Sequence, residues 1–245
     1  KSPCHGGKMT PRLLVIHFTA GASAESSINW FLNPQAKASA HLVIDRDGHI
    51  TQMVPFDTVA WHAGASRWND LSGLNHHSIG IELDNAGRLQ PHGDQWRSWF
   101  GRDYHDDEVL VARHKHETEP SGWQLYTREQ IEATLEVAQC LFARYGLEDI
   151  VGHEDISPGR KSDPGPAFPM GSLRARLLGR QEDSLPVMRT TTGLNIRSGP
   201  GVRHPLLPSG PLPPGVKLEV TDQDGDWRRV SVLEAVNGLS DLEGW

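Results

Sequence analysis

Residues 12–19 read RLLVIHFT. Leu13, Leu14, Val15, Ile16 and Phe18 form an almost unbroken apolar run with no alternation, the pattern of a strand buried on both faces of a sheet. The exception is His17, near the C-terminal end of the run. Residues 78–84, SIGIELD, follow the same pattern, and there the exception is Glu82. A short strand at 149–152 runs straight into His153. Between these strands lie helical stretches. Residues 22–33 (ASAESSINWFLN) read as a helix that stops at Asn33, because the residue before Pro34 disfavours helix. Thr127 with Gln130 forms a capping-box pattern ahead of Ile131, Leu135, Ala138, Leu141 and Phe142 at helical spacing, and Gly146 closes that helix. A last helix is expected over about 171–180. Residues 40–54 read as a β-hairpin turning at Asp47-Gly48. Strands alternating with helices, with one hairpin, predict a mixed α/β domain over residues 10–180.

Residues 86–124 break the pattern. They are polar, rich in Trp, His and Gly, and weakly periodic, so the expectation is a long loop with a short helix near Glu108–His114. Residues 181–187 (QEDSLPV) read as a linker. Residues 188–245 have short β-type runs cut by Gly and Pro and no helical signal, which predicts a small all-β barrel.

The chain has 245 residues, of which 37% are hydrophobic and 22% charged, enough apolar surface to bury a core. Its net charge of −7 and lack of Lys/Arg runs argue against a nucleic-acid partner. No apolar stretch is long enough to span a membrane. Thirteen His point to metal or acid–base chemistry, and eight Trp point to carbohydrate or peptide binding as readily as to core packing. The two cysteines, Cys4 and Cys140, have no C-x-x-C spacing; Cys140 lies in an apolar helical stretch and is expected to be buried, and nothing supports a disulfide between them.

The residues most open to chemistry are polar groups in apolar places. His17, Glu82 and His153 all fall at or near strand C-termini, where α/β domains place their ligands. Ten residues past His153 comes Asp163, within GRKSDPG (159–165). Two imidazoles and one carboxylate suit a catalytic zinc, which keeps three protein ligands and one open position for water. Glu82 is then a candidate general base and Lys161 a candidate oxyanion stabiliser. No H-E-x-x-H is present, so the helical zinc-protease pattern is absent. By spacing alone, His17 and His153 read equally as hydrogen-bonded core residues.

Five segments in order, IHFTAG (16–21), SAHLVIDRDG (39–48), HAGAS (62–66), SIGIELDN (78–85) and VGHEDISPGRKSDPGP (151–166), resemble the type 2 N-acetylmuramoyl-L-alanine amidases, a family that includes peptidoglycan recognition proteins. The resemblance implies a central mixed β-sheet flanked by helices. It implies one zinc ion held by His17, His153 and Asp163, Glu82 as catalytic acid/base and Lys161 as transition-state stabiliser. The implied reaction is hydrolysis of the amide between N-acetylmuramic acid and L-alanine in peptidoglycan or muropeptide fragments. A recognition module that binds without hydrolysis is the alternative, and the joint presence of Asp163, Glu82 and Lys161 argues for the enzyme. Among further positions, His41 resembles one near the site floor, where a structural hydrogen-bonding role competes with a catalytic one. Trp61, His62 and Ala63 resemble the groove wall, with Trp61 reading equally as core; Asn85 lies just past Glu82; and Arg67 and Arg160 could meet a stem-peptide carboxylate but read more readily as solvated surface residues. Aromatic residues of 86–124 either extend the groove or pack the loop, and His105, His114 and His116 are a weak candidate for a second metal.

GLNIRSGPG (193–201) and Gly225-Asp226-Trp227 resemble bacterial SH3 domains, modules that often bind cell-wall peptide or glycan. A wall-binding tail favours an extracytoplasmic site of action, with cytoplasmic recycling of muropeptides as the competing use. The family resemblance favours a monomer.

Overall fold

The computed structural model describes residues 1–178, 187–239 and 242–245. They form two compact units, Lys1–Gly87 with Glu129–Gly165 and Arg88–Arg128 with Pro166–Trp245.

The first unit is built on a five-stranded mixed sheet in the order Asp149–Gly152, Leu13–Phe18, Ser78–Leu83, Leu42–Ile44, Ile50–Gln52. The first four strands are parallel and the last is antiparallel, joined to its neighbour by the expected hairpin with Gly48 at φ 84°. The central strands are apolar without alternation because both their faces are covered. On one face Leu13 and Val15 pack with Ala63, Leu74, Val151 and Ile156. Alternation along the strand puts His17 on that same face, one step beyond the apolar cluster. The register sets His17 opposite Glu82 and Val151 opposite Val15, so the strand ends carrying His17, Glu82 and His153 lie along one edge.

The helices form close to where the sequence places them. One spans Ala24–Leu32, capped by the Ser23 side chain, which accepts from the Ser26 amide, and it ends at Asn33 before Pro34. The other spans Arg128–Tyr145 and is followed by Gly146 at φ 63°. Gln130 is fully buried; its amide donates to the Asp84 carbonyl (2.9 Å) and its Oε1 accepts from Arg46 (3.1 Å), tying this helix to the segment just past Glu82. Cys140 is exposed rather than buried, since it sits 100° around the helix from buried Leu141; Cys4 and Cys140 are both free.

In the second unit residues 88–124 are not a loop. They form an antiparallel sheet in the order Asp103–Tyr104, Gln95–Arg97, Arg88–His92, Pro120–Gln124, Val109–Arg113, and the helix expected near Glu108–His114 is a strand from Val109. Its core is Leu89, Tyr104, Leu110 and Trp123, the last donating its indole N–H to the Ala112 carbonyl (3.1 Å). Gly122 lets the Trp96 ring lie across the strand, because a Cβ there would meet that ring at 2.4 Å. Strands of two to five residues are too short to show a period, which is why the sequence reads as a loop.

The C-terminal part of this unit holds a four-stranded antiparallel sheet, Val187–Arg189, Lys217–Asp224, Trp227–Val232 and Glu243–Gly244, around a cluster that includes Ile196, Leu212, Leu218 and Val232. Trp245 donates its indole N–H to the Val111 carbonyl (3.0 Å), and Ser198 O accepts from the Val111 amide (2.6 Å), so this sheet and the 88–124 sheet are joined within one unit. The last helix spans Met170–Leu178. Its expected end at 179–180 and residues 181–186 of the expected linker lie outside the described residues.

Candidate active site

His17 is the penultimate residue of its strand, His153 opens the short helix His153–Ile156 directly after the neighbouring strand, and Asp163 follows ten residues later. A latch sets Asp163 in place. The Glu154 amide donates to the Asp163 carbonyl (2.8 Å), and the Glu154 carboxylate accepts from the Gly165 amide (3.2 Å). Gly152 has no side chain to obstruct this, since a Cβ there would meet Pro164 at 2.7 Å.

These segments bring together His17 Nδ1, His153 Nδ1 and Asp163 Oδ2. Each imidazole nitrogen is 2.9 Å from the carboxylate oxygen and 2.9 Å from the other. All three residues are buried, and among the described residues this is the one cluster with metal-binding geometry; His105, His114 and His116 form none. The remaining hydrogen bonds decide where the imidazole protons sit. His153 Nε2 lies 3.1 Å from the Ala63 carbonyl, which can only accept, so Nε2 carries the proton. His62 Nε2 faces the Ser78 carbonyl (3.3 Å), while the Ser78 hydroxyl donates to Leu74 O (2.6 Å). His62 therefore donates from Nε2 and accepts at Nδ1, and the donor to that Nδ1 is His17 Nε2 at 3.0 Å. Both ligand imidazoles thus carry a proton on the far nitrogen, which leaves Nδ1 of each as the metal-binding atom. Burial, with the charge of His153, lowers the His17 pKa to about 4, which keeps the ring neutral near pH 7. Burial raises the Asp163 pKa, but the hydrogen-bonding and charge of His153 and His17 outweigh it and hold the carboxyl below the usual range.

With Nδ1 unprotonated on both rings, three lone pairs would meet at one point, an arrangement that a cation stabilises. Two nitrogens and one oxygen from buried side chains fit zinc, whose tetrahedral bonds of about 2.0–2.1 Å separate neighbouring ligand atoms by a little over 3 Å.

Glu82 is half-buried, and its Oε2 is sealed from solvent with no hydrogen-bond partner among the described residues. Burial first, and then the Asp163 charge, push its pKa well above the usual carboxylate range, while Lys161 pulls it back. An orphaned carboxylate is costly and calls for an explanation, and a base with a raised pKa is suited to taking a proton near neutral pH. Lys161 is exposed, with its charge felt by both Glu82 and His17.

The other candidate residues lie around this centre. His41 is fully buried with both ring nitrogens engaged: Nδ1 accepts from the Gly80 amide (2.9 Å) and Nε2 donates to the Thr58 carbonyl (2.9 Å). His62 and Ala63 are buried, and Asn75 Oδ1 accepts from both their amides (3.0 and 2.7 Å). Arg160 Nη2 donates to the carbonyls of Ala63 (2.9 Å) and Ala65 (2.8 Å) and to Ser157 Oγ (2.6 Å), bracing the loop beside His153. Asn85 is buried, with Oδ1 accepting from the Gly87 amide (2.7 Å). Arg67 is exposed, and its Nε donates to the Asn69 carbonyl (3.3 Å). Trp61 presents a large exposed apolar surface, at 38%.

The His41 geometry makes a stability prediction. Burial lowers its pKa to about 4, so between pH 6.5 and 4 the unfolded chain takes up a proton that the folded chain refuses. Stability then falls as pH drops, and His41's share is about 3 kcal/mol. Chelator-treated wild type and His41→Gln, compared by urea unfolding at pH 7 and pH 4.5, should show the wild-type advantage shrinking toward low pH by up to that amount. An advantage that stays constant would show that the imidazole accepts a proton in place.

Comparison with known proteins agrees with this geometry. The family model described as N-acetylmuramoyl-L-alanine amidase, Amidase_2, matches residues 7–166. The chain is 33% identical over 182 residues to the N-acetylmuramoyl-L-alanine amidase AmiD of Escherichia coli K12, covering 71% of this chain and 55% of that protein. It is 31% identical over 190 residues to the 1,6-anhydro-N-acetylmuramyl-L-alanine amidase AmpD of the same organism, covering 70% and 85%. The match thus spans just over half of AmiD's length. Among solved structures, E. coli AmiD in complex with the substrate anhydro-N-acetylmuramic acid-L-Ala-D-gamma-Glu-L-Lys superposes with a TM-score of 0.54 at 31% identity, over 73% of this chain and 62% of that one. AmpDh3 of Pseudomonas aeruginosa gives 0.52 at 29%, over 72% and 63%.

Proposed function

The chain belongs to the Amidase_2 family of N-acetylmuramoyl-L-alanine amidases, and from that membership we propose that it is a zinc hydrolase cutting the amide between N-acetylmuramic acid and L-alanine in peptidoglycan or its muropeptide fragments. The observation that carries the reading is the convergence of His17 Nδ1, His153 Nδ1 and Asp163 Oδ2 beside Glu82, whose buried Oε2 has no hydrogen-bond partner among the described residues.

His17, His153 and Asp163 would hold the zinc, which would supply Lewis acidity and make water more acidic. Glu82 removes a proton as the water oxygen bonds to the lactyl carbonyl carbon. The Lys161 ammonium stabilises the charge that builds on the carbonyl oxygen. Glu82 then passes the proton to the alanine nitrogen as the C–N bond breaks, which leaves a free stem peptide and a free lactyl carboxylate. Every residue in this sequence comes from one unit of one chain, in keeping with a monomeric enzyme.

The C-terminal sheet, on this reading, is an SH3-like module that holds the enzyme on the wall, and the place of action is outside the cytoplasm. A cleft of about 570 Å³ lined in part by Met188, Leu194, Asn195 and Trp227 offers apolar and polar surface for such a ligand.

Digestion of purified peptidoglycan and of anhydro-muropeptides, read by mass spectrometry, tests the proposal. Stem peptides beginning with L-alanine should appear, vanish with chelator and return with zinc. Zinc-loaded protein that binds either substrate and releases no peptide would overturn hydrolysis in favour of recognition alone.

A further inference from the structure

The structure assigns His62 as a positioning residue for the metal ligand His17, with Gly80 as the opening that admits its ring. This inference rests on the reading of His17, His153 and Asp163 as a metal-binding group, and it explains how one of them is kept ready.

An imidazole binds metal through an unprotonated nitrogen, and the acceptor on its other nitrogen selects which one that is. For His153 the acceptor is a backbone carbonyl, that of Ala63. For His17 it is another imidazole, His62 Nδ1, whose own proton goes to the Ser78 carbonyl. The chain His17 Nε2–H to His62 Nδ1, then His62 Nε2–H to Ser78 O, has one consistent direction. Without the acceptor at His62, the buried His17 Nε2–H is left unsatisfied. The neutral ring does better by moving its proton to Nδ1, 2.9 Å from Asp163 Oδ2. That hydrogen bond occupies the lone pair the metal needs.

The His62 ring lies against the strand at Gly80, where a Cβ would meet its Cγ and Nδ1 at 2.5 Å. No other residue type fits there without displacing the ring. The Asn75 side chain fixes the backbone of 62–63 from behind, so the ring cannot simply step away.

The test compares wild type, His17→Ala, His62→Phe and His62→Asn. Asn places an oxygen where His62 Nδ1 sits, whereas Phe keeps the ring volume and removes the acceptor. Zinc affinity is measured by competition with a chromophoric chelator, and the His17 tautomer of the metal-free protein by ¹⁵N imidazole NMR. His62→Phe should bind zinc about 10–100-fold more weakly and show His17 protonated on Nδ1. His62→Asn should stay within a few-fold of wild type with His17 protonated on Nε2. Should His62→Phe not fold, His62→Gln, which carries its amide toward Ser78 instead, takes its place with the same expected loss. Wild-type affinity in the acceptor-free variant, or equal losses with Asn and Phe, overturns the role of His62. Zinc binding that survives His17→Ala instead overturns the metal site itself.

Discussion

Asp163→Ala is expected to lose bound zinc and turnover together. The carboxylate is the only anionic member of the three converging ligands and lies 2.9 Å from both imidazole nitrogens. Without it, two neutral lone pairs remain. Loss of an outer hydrogen-bonding partner already weakens a metal site about 10–100-fold, so loss of a direct ligand should weaken this one by more than 100-fold. The fold should survive, because the latch that places residue 163 uses its backbone carbonyl and the Glu154 carboxylate rather than the Asp163 side chain. Metal content after gel filtration, stem-peptide release and far-UV circular dichroism read the three quantities. A folded mutant that retains one zinc per chain would remove Asp163 from the ligand set.

Glu82→Gln separates chemistry from binding. The variant should keep zinc and lose turnover by roughly 10²–10⁴-fold, the usual contribution of a general acid–base group. It should also change stability in a direction that depends on pH. The pKa of Glu82 is raised in the folded chain by burial and by Asp163, so above the unfolded value of about 4.5 the unfolded chain ionises first. A group of this kind costs stability increasingly as pH rises. In the presence of chelator, Glu82→Gln should therefore be more stable than wild type at pH 8, and the advantage should shrink toward pH 5. An inactive variant with no such pH-dependent gain would mean that burial and Asp163 do not destabilise the ionised Glu82 carboxylate. A variant near the wild-type rate would make Glu82 structural.

Much of the catalytic unit is legible in the chain because its signals are local. Unalternating apolar runs at 12–19 and 78–84 declare strands covered on both faces, and His17 and Glu82 stand out because such strands rarely tolerate them. Pro34, Gly146 and Asp47-Gly48 mark ends and turns through backbone restrictions that hold in any context. The 88–124 segment shows the opposite case. Its strands are short and its core is made by pairing across five of them, so nothing in a window of a few residues reveals a sheet. Cys140 likewise falls on the exposed face of a helix whose apolar positions only partly define its burial. The partnership of His62 with His17 left one trace, an isolated glycine within an apolar strand at Gly80, which marks a close approach without saying what approaches.

The sequence by itself determined the residue types, the order of elements and the strand-end positions of His17, Glu82 and His153, since propensity, patterning and side-chain chemistry are written residue by residue. Only the tertiary structure decided that Asp163 comes within 2.9 Å of both imidazoles, that His41 is engaged by backbone on both nitrogens, and that His62 hydrogen-bonds to His17. Those facts depend on strand register and on the latch of residues 154–165, which bring groups as many as 146 positions apart into contact. Proton placement follows from them, because a buried imidazole takes the tautomer its neighbours can satisfy.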